Sequence, residues 1–204
     1  MDGGAPAKAL VDDILKETRF DRAIQRWAPD LWEEVLGIAE ASNQPLWKIQ
    51  GLQLLDEIWW FTLYRKAGKA PWREHAAIPE RCSAMGQVHS ASTAYAGQNM
   101  DIGTWIEGNQ VLLHIEASGD TPAQLVFSYA GSIGLNGLNA AGIGYCCNTV
   151  IELDPSATGL PMAYVGRRVL QQRSFEDAHG VLRGVEHRSE EHTSELQSPM
   201  YLVC

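Results

Sequence analysis

A chain of 204 residues is long enough to bury one substantial core, and with 45% apolar and 20% charged residues it is excluded from the disordered, collagen-like and disulfide-dense classes. A formal net charge of −9, with no cluster of Lys and Arg, excludes general affinity for nucleic acid or anionic membranes, because holding a polyanion takes clustered basic side chains that displace its counterions. The four cysteines, at 82, 146, 147 and 204, include an adjacent pair that cannot easily close a normal disulfide, so a reducing, cytoplasmic setting fits best.

The amino terminus has no apolar run behind a basic start, so neither a secretory signal nor a membrane anchor is expected there. Ile58 to Phe61 is too short to span a bilayer and reads as core. Val11, Ile14 and Leu15 recur at helical spacing, and Leu31, Val35, Leu36 and Ile38 do so again after Pro29. With a third helix over Leu46 to Tyr64, set off by Asn43, Gln44 and Pro45, two or three helices are expected before residue 64. Lys66 to Arg81 then reads as an exposed, cleavable linker.

From Cys82 the pattern changes to short, turn-bounded strands at 84–88, 93–98, 111–117, 124–129 and 142–150, with Gly119 to Pro122 as a turn between two of them. Helix resumes at Met162 to Gln172 after Pro161, and again after Ser174, which with Asp177 forms an acidic variant of the capping box. Helices, then meandering strands, then helices make the fold α+β with an antiparallel sheet.

Three elements carry chemistry. Cys82 stands after Arg81 where the linker gives way to a strand, the place for a nucleophile exposed by cleavage; a structural cysteine at a strand start is the alternative. The strand ending in Gln98, Asn99 and Asp101 brings a carboxylate and amides to one place. Asp101 suits a group that fixes the base of a thiol nucleophile, or else an Asx-turn. The Gly-rich run 134–144 reads as a hairpin rather than a dinucleotide loop, since a strand follows it, and Asn148 beyond it is an oxyanion donor or a turn residue. The histidines are too scattered for a metal site, and Cys146-Cys147 lacks a partner motif, so no metal is expected. Alternation puts one of those two thiols on each face of a strand, so at least one belongs to the core.

The order of Arg81, Cys82, Ser83 and Ala84, then GQNMD at 97–101, then SIGLN at 132–136 through GIGYCCN at 142–148, resembles the isopenicillin N acyltransferase family. This is the acyl-coenzyme A:6-aminopenicillanate acyltransferase-like group of autoproteolytic cysteine hydrolases and acyltransferases, related to choloylglycine hydrolases. PDLWEEVLGIAEA at 29–41 is similar to that family's helical propiece, so the likeness covers roughly residues 29 to 182. It implies an N-terminal-nucleophile αββα sandwich, with 1–81 as helical propiece and linker and 82–187 as a partial catalytic domain whose carboxyl-terminal part is missing.

The resemblance further implies a precursor that cuts itself between Arg81 and Cys82. An acyl-Cys82 would then form from a linear amide or thioester, with Asp101 orienting thiol and amine, Asn148 contributing to the oxyanion site, and Gln98 and Asn99 in the substrate pocket. No cofactor is implied, acyl-coenzyme A entering only as a substrate. The expected partners are that small molecule and the cleaved α chain, with no nucleic acid and no membrane, and a homo-oligomer is left open. Choloylglycine hydrolases carry Arg where Gln98 stands, which speaks against bile-salt or penicillin V substrates. The run RSEEHTSELQS from Arg188 resembles the in-frame translation of a sequencing-library adapter, so 188–204 is expected to be an artefactual, disordered tail and Cys204 and His192 are set aside. The readings that compete with the enzyme are a catalytically silent α+β interaction module and a truncated, non-functional fragment.

Overall fold

The computed structural model describes residues 4–66, 82–90, 93–148, 156–185 and 202–203. Five helices come first: α1 (Gly4–Glu17), α2 (Phe20–Trp27), α3 (Pro29–Ala41), α4 (Leu46–Gln53) and α5 (Leu55–Lys66). The sequence led us to expect fewer because two of the breaks are made by distant parts of the chain. Between α1 and α2 the Arg19 amide donates to the Ala157 carbonyl at 2.6 Å. Between α4 and α5, buried Gln53 donates to the Gly131 carbonyl at 2.8 Å and accepts from the Ile133 amide at 2.9 Å. The other two breaks are local: Pro29 takes the first helical position of α3, where its missing N–H costs nothing, and Asn43 at φ +52° and Pro45 separate α3 from α4.

Strands β1 (Ser83–Ser90) and β2 (Thr93–Asn99) form an antiparallel pair. A second antiparallel sheet runs in the order β3 (Gln110–Ile115), β4 (Gln124–Tyr129), β5 (Asn136–Asn139), β6 (Gly144–Tyr145) and β7 (Leu202–Val203). The expected turn at 119–122 is present: the Ser118 amide donates to the Thr121 carbonyl and the Thr121 amide to the Ser118 carbonyl, around Gly119 at φ +55°. Of the strand expected over 142–150, residues 149–150 lie outside the described residues, and among the described ones only Gly144–Tyr145 is regular, the Cys147 carbonyl accepting instead from the Gln98 side chain. Of the segment expected as a tail, 202–203 pairs with β6, and 188–201 and 204 lie outside the described residues, as do 186–187 before it. So do Arg81 and the linker over 67–81.

Helices α6 (Met162–Leu170) and α7 (Phe175–Gly184) follow, as expected. Ser174 caps α7 by accepting from the Asp177 amide at 3.1 Å and donating to the Asp177 carboxylate at 2.7 Å. Helix α6 covers β5 and β6 so closely that a Cβ on Gly166 would lie 2.7 Å from the Tyr145 ring. Ile24, Ala28, Leu31, Val35 and Ala39, one stripe of α2 and α3, join Val126, Ile133, Tyr145, Tyr164 and Val169 in the main core. Burying that stripe is what the 3.6-residue repeat is for. A smaller cluster of Ile14, Phe20, Leu54, Trp60 and Phe61 holds α1, α2 and α5, so tryptophans of this region serve packing.

Candidate functional site

The β1–β2 register decides what meets at one end of the hairpin. Ser83 pairs with Asn99 and Ala84 with Gln98, so Cys82, just before β1, stands beside the point where β2 runs out into Met100 and Asp101. Successive strand residues point to opposite faces, so Gln98 and Asn99 diverge. Gln98 is half-buried and turned towards the second sheet, whereas Asn99 is exposed. Asp101 is also exposed, and Cys82 is half-buried.

Gln98 is the centre of a side-chain network. Its Nε2 donates to the Cys147 carbonyl at 2.5 Å and to Asn148 Oδ1 at 3.1 Å, while its Oε1 accepts from Asn136 Nδ2 at 2.9 Å. The Asn136 amide also approaches Met100 Sδ at 3.6 Å. One glutamine therefore joins the end of β2, the start of β5 and the segment after β6. Of the residues singled out from the sequence, the fold brings Cys82, Gln98 and Asp101 to one hairpin end and ties Asn148 to it through Gln98. Asn99 faces away, and Arg81 lies outside the described residues. Asn136 was not singled out from the sequence; its signal was its place at the head of the first strand of the expected hairpin, next to Gln98 only in space.

The thiols differ in environment. Cys146 is buried, and burial raises its pKa above the ordinary thiol value, which keeps it protonated at neutral pH. Tyr145 beneath it is fully buried, and its phenol is held well above the usual range, first by burial and then by the neighbouring Cys147. Cys147 is half-buried and packs against the main core, so at least one of the pair belongs to the core as expected, although both lie just past the end of β6. Among the described residues no group of three or more His, Cys, Asp or Glu could hold a metal ion, and no helix is long and apolar enough to cross a membrane.

Helices packed on antiparallel sheets, with a cysteine at the head of the first strand, give an α+β protein of the N-terminal-nucleophile type. The chain belongs to the acyl-coenzyme A:6-aminopenicillanic acid acyl-transferase family, whose profile matches residues 88–202, more than half of it. The matched stretch holds Gln98, Asp101, Asn136 and Asn148 and begins just after Cys82. Comparison with curated proteins gave no match. Membership assigns the chain to acyl-transferring enzymes.

Proposed function

We propose that the chain is a self-processing cysteine amidohydrolase or acyltransferase working through an acyl-Cys82 on linear amides or thioesters. One observation carries this reading: the β1–β2 register puts Cys82 at the same end of the hairpin as Asp101 and as Gln98, the residue that holds Asn148. A nucleophile, a carboxylate and an amide donor are the parts that acyl transfer needs.

In maturation the Cys82 thiolate attacks the Arg81 carbonyl, the Arg81–Cys82 C–N bond breaks, and water hydrolyses the resulting thioester. The products are a carboxylate on Arg81 and an α-amine on Cys82. In catalysis that amine takes the thiol proton, and Asp101 steadies the ammonium so formed. The thiolate adds to the acyl carbonyl, Asn148 Nδ2 donates to the oxyanion, and collapse expels the amine or thiol, which recovers the proton. Water or an amine acceptor then releases the acyl group. Acyl-coenzyme A enters as donor and substrate, not as a resident cofactor. The cleaved helices stay docked as a partner chain, a reading supported by the ion pair of Arg167 with Glu34 and by the two hydrogen bonds of Gln53.

Intact-mass spectrometry of the purified chain beside Cys82→Ala tests the reading. Two fragments meeting at the Arg81–Cys82 bond in the parent, and one unsplit mass in the variant, are expected. An unsplit parent, or a variant that still splits, overturns self-processing.

A further inference from the structure

We infer that Gln98 is a positioning residue which, backed by Asn136, fixes the direction of the Asn148 amide so that an N–H, and not Oδ1, faces the reacting carbonyl. This inference rests on the acyl-Cys82 reading and reassigns Gln98 from substrate contact to support.

A backbone carbonyl can only accept, so the end of Gln98 that meets the Cys147 carbonyl must be its NH2 group. That nitrogen has two hydrogens, and the second is directed at Asn148, whose Oδ1 lies 3.1 Å from Nε2. The Asn148 atom facing it must then be an acceptor, Oδ1, since the opposite orientation would set two NH2 groups against each other. With Oδ1 engaged, the N–H of Asn148 that lies anti to Oδ1 points away from Gln98. At the other end, Asn136 Nδ2 donates to Gln98 Oε1 at 2.9 Å, closing a one-way chain of donors from Asn136 through Gln98 to Asn148. The backbone of Cys147 sets the polarity of the whole chain, and an amide whose orientation is settled beforehand needs no reorganisation when charge develops on the substrate oxygen.

Two reactions of Cys82 separate positioning from mere structure. Acylation by p-nitrophenyl acetate passes through a tetrahedral oxyanion, whereas alkylation by iodoacetamide does not, so the second gauges the thiol alone. Gln98→Met should slow acylation of Cys82 about tenfold or more, up to the roughly 10²–10³-fold for outright loss of an oxyanion donor, and leave its alkylation rate unchanged. Gln98→Glu, the same shape with no donor, should slow acylation further, because its carboxylate draws the Asn148 N–H groups inward, and it serves as the test variant if Gln98→Met fails to fold. Combined with Asn148→Ala, Gln98→Met should add no further loss, as for two residues acting as a unit. Acylation at the parent rate in both Gln98 variants, a matching fall in alkylation, or losses that multiply in the double variant would overturn the inference. Acylation at the parent rate in Asn148→Ala would also overturn it, by removing the oxyanion role that Gln98 is inferred to support, whereas no acyl group on Cys82 in the parent would instead overturn the acyl-Cys82 reading beneath it.

Discussion

Burial separates the thiols and phenols of this chain in a way that pH will report. Cys146, Tyr129, Tyr145 and Tyr164 all hold their protons in the folded state above their ordinary pKa values, in each case chiefly because burial disfavours the charged form. Their contribution to stability is therefore complete below the unfolded values, about 8.5 for Cys and about 10 for Tyr, and is lost as pH rises through the raised folded values. Melting temperature should accordingly fall in steps from pH 9 to pH 11. Tyr164→Phe should soften that fall, and at pH 7 it should leave stability unchanged or slightly higher, because the Tyr164 hydroxyl is buried with no hydrogen-bond partner among the described residues. Iodoacetamide mapping of the native protein at pH 7 should leave Cys146 unmodified. That at least one of Cys146 and Cys147 belongs to the core was legible from the sequence. The place of Asn136 was not, because its partner Gln98 lies 38 positions away and only folding joins them.

At the scale of elements, local signals set the positions that local forces control. Ser174 and Asp177 were readable as a cap, and Ser174→Ala should cost about 1 kcal/mol in a urea titration with an unchanged slope. Strand β4 and the β5–β6 hairpin follow the expected pattern because alternation and the Gly-rich turn are encoded within a few residues. The helix expected over Leu46 to Tyr64 instead breaks at Leu54, where Gln53 serves the turn at 131–133. Gln53→Leu leaves the buried Ile133 amide and the half-buried Gly131 carbonyl without that partner. It should destabilise by about 2 kcal/mol or more, measured by the same titration.

Across the whole molecule, the helices before the linker are held to the later part of the chain by polar contacts as well as by the shared core. Arg167, 3% exposed, donates to both oxygens of Glu34 at 2.8 Å and to the Ile133 carbonyl at 2.8 Å. Arg168 pairs with Asp30 at 3.0 Å and donates to the Trp27 carbonyl. Removing one partner of a buried pair strands the other, and Glu34→Ala should cost about 3 kcal/mol, the low end of that range because Glu34 is 34% exposed. The same contacts make a second outcome testable: after cleavage at Cys82 the two fragments should elute together on size exclusion under native conditions and separate only in denaturant.

The sequence by itself determined the α+β class, the change from helix to strand at Cys82, the cap of α7 and the family, because each is written in short-range periodicity or in motifs whose order survives without coordinates. Only the tertiary structure decided that Gln98 turns towards the second sheet while Asn99 faces away, and that Asn136 and Asn148 meet Gln98. The physical reason is register: a one-residue shift in the β1–β2 pairing would exchange the faces of Gln98 and Asn99, and what fixes it is packing between segments far apart in the chain.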